Sequence, residues 1–292
     1  MSQAIANLEK DLGVTLFLRD VRPLRLTPAG RRLFEGGRLL LSESRRLRAR
    51  VASESLSMRS LRLGLGESVS ATMSPWLVHR LRQNVASLEV YAALTHPLTE
   101  RLQTSALDVI ICAGVELSED KWLRRVAYEE EFLLVRSKSL SAESLGAAGT
   151  LDALRILARR HPLIGYNGES SDQIRVNRLL DAGGIVPTER ISVSSSYTLV
   201  GLIAQTEGFG ILPPANLWCG RQFLDDVVFE RLPKGLRERR RMWVVGEADR
   251  SVEQVEFVCS LVRSVLEENM LAAFRADAPG LEAFVTCSME SD

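Results

Sequence analysis

Four cysteines, three histidines and no long apolar run limit what this chain is able to do. Cys112, Cys219, Cys259 and Cys287 stand alone, with no CxxC pair and no neighbouring histidine, so neither a zinc site nor a disulfide framework is suggested. His79, His96 and His161 lie in unrelated settings, no serine sits in a GxSxG elbow, and no carboxylate pair has a spacing suited to acid–base work. The stretches GLGES and EGFGILP complete neither GxGxxG nor the Walker pattern. An enzyme is therefore not expected, and no cofactor or metal is called for. No stretch approaches the roughly 18 apolar residues of a membrane span, and the start lacks a basic segment followed by an apolar run and a small-residue cleavage site. A cytoplasmic address follows.

What is present suits a globular protein. The chain has 292 residues, 46% hydrophobic and 25% charged, enough for two or three core-bearing units. Its net charge of zero hides an asymmetry. Residues 1–62 hold 13 Lys/Arg against 6 Asp/Glu, whereas residues 63–292 hold 24 against 31. A basic head of +7 on a body of −7 suits a polyanion, because neutralising phosphates supplies most sequence-independent nucleic-acid affinity.

The head begins MSQAIANLEKDLGVTLFLRD. Met1, Ile5, Leu8 and Leu12 recur at helical spacing and predict one buried face, with Gly13 as the stop. Leu16 and Phe17 then give a short apolar anchor, an Arg-studded stretch around Pro23 predicts a small hairpin, and Thr27-Pro28 reads as N-cap and first helical residue. From Pro28 to about Leu56 nothing interrupts a helix, a rod of roughly 40 Å. Leu33, Leu40 and Leu47 repeat every seven residues, with Gly37, Ser44 and Val51 between them, a narrow seam suited to pairing with a second helix.

SQAIANLEKDLGVTLFLRD followed by LTPAG resembles the C-terminal half of the winged helix-turn-helix of LysR-type transcriptional regulators, and the resemblance extends over nearly the whole chain. It implies that the first helix is a recognition helix, the Arg-rich hairpin a wing and the long helix a dimerising linker. Ser2 and Gln3 match positions on the major-groove side, and Arg22 and Arg25 lie in the wing; Asn7 joins them from its place on the same helix face. The family pattern has about thirty residues ahead of this point, forming the helix that braces the recognition helix. Two expectations follow: a start upstream of Met1, or a shortened form that senses and dimerises without binding DNA well.

The remainder reads as α/β. LRLGLG (61–66), LEVYAAL (88–94) and LDVIICA (107–113) are strand-length apolar runs separated by helical stretches, which implies a parallel sheet with crossover helices. A second set follows: a strand at 162–166, a helix over 171–182, a strand around ERISVS, the helix YTLVGLIAQT, a strand ending in GILP, then RMWVV and a last helix. The resemblance implies two subdomains of the type II periplasmic-binding-protein kind, with crossings near Arg136 to Ser139 and Leu232 to Leu236. The expected organisation is thus a partial winged helix-turn-helix (1–27), a linker and dimerisation helix (28–57), an effector-binding domain (58–270; subdomain I about 60–136 and 236–270, subdomain II about 139–232) and a C-terminal tail (271–292).

In such sheets ligands bind at the carboxyl ends of strands, where helix N-termini present free N–H groups. Glu67, Ser68, Ser70, Thr95, His96, Gly114, Tyr166, Asn167 and Ser194 to Ser196 occupy those ends. Ser68, Ser70, Thr95 and Ser195 are the expected effector contacts. No Arg or Lys stands there, so a small organic anion would rely on N–H groups and hydroxyls. The partners expected are operator DNA, a small-molecule effector and further copies of the chain, as a homodimer or homotetramer. A cytoplasmic small-molecule-binding module or an enzyme on the same fold is the alternative; the basic head has no use in either.

Overall fold

The computed structural model describes residues 3–18, 25–34, 36, 37, 40, 58–114, 117, 120–140, 149–168 and 170–287. The head opens with α1 (Gln3–Leu12), ended at Gly13, whose φ of +66° suits glycine. Strands β1 (Phe17–Leu18) and β2 (Arg25–Leu26) pair antiparallel, and a helix, α2, runs through 28–34. The Thr27 hydroxyl accepts from Gly30 N at 3.0 Å, the N-cap contact the sequence implies. A Cβ at residue 30 would fall 2.1 Å from the Leu16 carbonyl oxygen, so α2 meets the backbone just ahead of β1 at a distance that admits only glycine. The stripe on α1 is not buried as expected: Leu8 and Leu12 are 42% and 47% exposed, because nothing among the described residues packs on that side. The residue that α1 does bury is Glu9, whose carboxylate accepts from Leu16 N at 2.7 Å and ties the helix to the hairpin. Of the heptad seam, Leu40 is described and exposed, and Ser44, Leu47 and Val51 lie outside the described residues.

Beyond residue 57 the chain builds two sheets. The first takes β3 (Met58–Gly66), β4 (Val85–Ala93), β5 (Val109–Ala113), β6 (Trp122–Glu131), β12 (Arg239–Glu247) and β13 (Val285–Thr286), in the order β13-β6-β12-β5-β3-β4. The second takes β7 (Leu133–Ser137), β8 (Leu163–Tyr166), β9 (Arg190–Val193), β10 (Phe209–Leu212) and β11 (Val227–Arg231), in the order β11-β7-β10-β8-β9. Helices α3 (Glu67–Leu81), α4 (Thr95–Gln103), α5 (Leu151–Arg160), α6 (Ser171–Ala182), α7 (Ser196–Gln205) and α8 (Pro214–Cys219) connect the strands. Helices α9 (Val252–Val265) and α10 (Leu271–Asp277) close the chain. The runs around β3, β4 and β5, and around β8, β9 and β10, pair parallel as their alternation with helices implies. The sheets are mixed, however: β12 runs antiparallel between β5 and β6, and β7 antiparallel between β10 and β11.

Those reversed strands carry the chain from one sheet to the other. The first change of sheet falls at Phe132, between β6 and β7, ahead of the Arg136 to Ser139 stretch expected from sequence. The second spans 232–238, between β11 and β12. Phe132 is fully buried and its N–H donates to Glu238 O at 2.9 Å, so the two crossings are bonded to each other. The stretch expected as a C-terminal tail is instead structured through residue 287. Phe274 and Leu281 are fully buried, and β13 adds to the sheet edge beside β6. Apolar residues there need cover, and Trp218 of α8 and Phe229 of β11 supply part of it.

Candidate functional site

Helices follow the carboxyl ends of the parallel strands β3, β4, β8, β9 and β10, and β5 ends at Ala113. Helices α3, α4, α6, α7 and α8 start at Glu67, Thr95, Ser171, Ser196 and Pro214. None receives a side-chain cap from its own N-cap residue, respectively Gly66, Leu94, Ser170, Ser195 and Pro213. First-turn N–H groups left open in this way carry the positive end of the helix dipole and need acceptors from elsewhere. Two of them get carboxylates. Glu67 Oε1 accepts from Ser196 N at 3.1 Å, and Glu130 Oε1 from Ala215 N at 2.8 Å.

Between these helix starts lies a narrow cleft, partly open to solvent. Its lining draws Ser68 and Thr95 from the first subdomain, Tyr166 and Asp172 from the second, and Asn216 from α8. At its back stands Arg240, 2% exposed, projecting from β12. Its Nε and Nη2 donate to Glu130 Oε2 at 2.8 and 2.6 Å, Nη2 also to Ser68 Oγ at 3.1 Å, and Nη1 to Asp172 Oδ2. Burial pulls the guanidinium pKa down, but Asp172 and Glu130 outweigh it and hold Arg240 charged. Asp172 belongs to α6 on the second sheet and Arg240 to the first, so this ion pair crosses the cleft. So does the Glu67 carboxylate, which reaches from α3 to Ser196 N and Oγ on α7. Burial raises the Glu67 pKa, the two bonds from Ser196 oppose the rise, and Asp172 adds to it.

A neutral network sits beside the charges. Tyr166 Oη donates to Ser196 Oγ at 2.8 Å, and Asn216 Nδ2 donates to both. Burial drives the Tyr166 hydroxyl pKa upward, with the bonds to Ser196 and Asn216 pulling the other way. Two cleft oxygens, Asp172 Oδ1 and Asn216 Oδ1, are buried without a hydrogen-bond partner.

Of the residues expected to meet an effector, Ser68 and Thr95 line the cleft; the Thr95 hydroxyl donates to Ala113 O at 2.7 Å. Ser70 does not line it, because it stands on the α3 surface one turn into the helix, and its carbonyl accepts from Ser74. Ser195 is also outside the lining: α7 begins one residue later, and Ser196 is the serine buried between the subdomains. The reading of those strand ends, which carry no Arg or Lys, left out Arg240, which reaches the cleft from β12. Sequence reading missed Asp172, Asn216 and Glu130 as well. A signal was available in the runs EEE (129–131) and RRR (239–241), which lie directly opposite one another in the β6–β12 ladder. On the DNA side, Ser2 and Arg22 lie outside the described residues, Gln3 opens α1, and Asn7 and Arg25 are exposed on α1 and β2.

Two family models match the chain: the LysR substrate binding domain over residues 55–267, and the bacterial regulatory helix-turn-helix protein, lysR family, over residues 1–31. A probable cat1 operon transcriptional activator from Acinetobacter lwoffii is 26% identical over 274 residues, 92% of this chain and 87% of that one. A hydrogen peroxide-inducible genes activator from Haemophilus influenzae is 32% identical over 141 residues, 47% of this chain and 46% of that one. Among solved structures, a full-length OxyR variant from Pseudomonas aeruginosa superposes with a TM-score of 0.65 at 20% identity, covering 89% of this chain and 86% of that one. Full-length BenM does so with 0.58 at 20% identity, covering 90% and 86%. With one model spanning the two-sheet body and the other the basic head, the chain belongs to the LysR family of transcriptional regulators.

Proposed function

We propose that this LysR-family regulator senses its small-molecule effector in the cleft between the two sheets and passes the result to operator DNA through the head and linker. Regulators of the family bind DNA and effectors and form oligomers. The observation that carries the siting is the pair of contacts that cross the cleft, Arg240 to Asp172 and Glu67 to Ser196. A ligand entering there competes with or reinforces bonds that hold one subdomain to the other, the differential contact a conformational shift requires. Ser68, Thr95, Ser196, Asp172, Asn216 and Arg240 form the sensing set; Gln3, Asn7 and Arg25, with Ser2 and Arg22, are the DNA contacts.

The protein works as a regulator in the cytoplasm and not as an enzyme. No described helix is long and apolar enough to cross a membrane. Peroxide sensing, which the names of several relatives bring up, has no support from the cleft. Among the described residues no cysteine lines it, and burial pushes the thiol of Cys219, behind Ser196, up to about 12, far from the thiolate that reacts. The test is a footprint on the promoters flanking the gene. Glu67→Ala, which releases one cross-cleft contact, should alter the extent of the footprint or transcription from a reporter. Footprints and reporter output identical to wild type would remove the cleft from the regulatory path.

A further inference from the structure

The charge in the cleft runs against an anionic effector. Among the described residues, its walls carry Glu67, Asp172 and, immediately behind, Glu130, against the single guanidinium of Arg240. Around α7, α8 and Arg240, features that usually welcome a carboxylate are already in use. One first-turn N–H of α7 and one of α8 are taken by Glu67 and Glu130, and Arg240 donates through Nε, Nη1 and Nη2 to Glu130, Asp172 and Ser68. An anion bound there would displace one of the protein's own carboxylates and then lie among the others.

Two acceptors at the cleft have no donor. Asp172 is 6% exposed and Asn216 4%, both line the cleft, and the Oδ1 of each is buried with no partner. A buried acceptor without a donor is costly, and on a carboxylate the cost is larger. The Asn216 amide has its orientation set by Nδ2, which donates to Tyr166 Oη and Ser196 Oγ, so Oδ1 is the atom left over. A neutral donor would satisfy the two oxygens but not the surplus of carboxylates over guanidinium. No group of three His, Cys, Asp or Glu side chains among the described residues is arranged to hold a metal ion.

We propose that the effector of this regulator is a small organic cation, whose ammonium or amidinium group donates to Asp172 Oδ1 and Asn216 Oδ1 in the cleft beside Glu67. The proposal rests on the reading of the cleft as the effector site and specifies the ligand's chemistry there. It separates this chain from the anion its strand-end serines suggest.

The experiment titrates the whole chain, near neutral pH and at matched ionic strength, with methylammonium, ethanolammonium and guanidinium chlorides, with acetate and benzoate as sodium salts, and with acetamide. Calorimetry and thermal shift are the readouts. At least one of the three cations should bind saturably in the millimolar range. Asn216→Asp should tighten that cation by about tenfold and Asp172→Asn weaken it by a similar factor, a pair of opposite changes that loss of folding cannot mimic. Saturable binding of acetate or benzoate, acetamide binding as tightly as the cations, absence of binding by all three cations, or unchanged affinity in Asn216→Asp would each overturn the proposal. The footprint on promoter DNA, taken without ligand, is scored separately: a footprint that persists while the cations fail leaves the regulator standing and removes only the ligand class.

Discussion

At Arg240 a guanidinium that is almost fully buried holds together two carboxylates that are themselves buried, Glu130 and Asp172. Removing one partner of such a group leaves charge stranded in a low-dielectric site, so Arg240→Met should lower stability by about 3–5 kcal/mol. Urea unfolding should show this as a reduced midpoint with little change in slope. Adding Glu130→Gln and Asp172→Asn to that variant should recover much of the loss, and a triple variant as unstable as the single one would contradict this account. Glu67 makes the opposite case. Its folded pKa lies above the ordinary 4.5, burial being the main cause. The native state therefore binds the proton more tightly than the unfolded chain does, and stability falls as pH rises from the unfolded value through the folded one. Glu67→Gln keeps an acceptor for Ser196 N and removes the charge. Its melting temperature should exceed that of wild type at neutral pH, with the gap closing as pH falls toward 4.5; a gap that widens in acid would reverse the assigned sign. Residues of this kind were the least legible in the sequence. The strand-end serines pointed to the cleft between the sheets, but Ser195 and Ser196 differ by one position on a helix start that no local pattern fixes. Arg240 sits in a charged run that reads as solvated until its partner strand is known.

Elements with one strong period were readable, and those that change role along their length were not. β3 and β5 stand out because their apolar runs are buried on both faces, and α9 because Val255, Val258, Val262 and Val265 recur along one side. β6 does not stand out: WLRRVAYEEE alternates with charges that are matched across the sheet, Arg241 to Glu129 at 2.7 Å and Arg240 to Glu130 at 2.6 Å. The segment 271–287 was hidden for a related reason, its apolar residues being few and spread over a helix, a short 3₁₀ turn and a two-residue strand. It belongs to the core, with Phe274 against Trp218 at 5.8 Å and Phe284 against Phe229 at 6.3 Å. Leu281→Ala should therefore cost about 2–5 kcal/mol in urea unfolding, as truncation of a buried leucine does; a loss near zero would make the segment the tail that its sequence suggests. The linker offers the converse test. Leu40 is 74% exposed in one copy of the chain and falls on the seven-residue repeat of Leu33 and Leu47. If this seam joins two copies, Leu40→Asp buries an unpaired charge there and should dissociate the oligomer, or leave a weaker contact, in sedimentation at low micromolar concentration. An unchanged profile would take the seam out of the interface.

Across the whole molecule, the charge asymmetry separates the surface that meets DNA from the surface that does not. Residues 1–62 carry +7 and residues 63–292 carry −7, so the body repels the phosphate backbone that the head attracts, and the duplex is oriented before any base is read. This division was legible from composition, because it depends on where charges fall along the chain and not on how the chain folds. The structure adds which head residues are exposed. Arg25 is exposed on β2, while Asn7 is exposed on α1, on the helix that the family match reads as part of the helix-turn-helix. The two should fail differently. Arg25→Ala removes one phosphate partner, and it should weaken binding to cognate and unrelated DNA alike, reducing the slope of log affinity against log salt by about 1. Asn7→Ala removes a hydrogen-bonding side chain that carries no charge, so its salt slope should stay at the wild-type value. Its loss, about 1–3 kcal/mol for a side chain that reads a base edge, should appear against the cognate site and vanish against random sequence. Fluorescence anisotropy across a salt series on both DNAs measures all four quantities. A salt slope that drops in Asn7→Ala, or a loss in Arg25→Ala confined to the cognate site, would exchange the roles assigned to helix and wing.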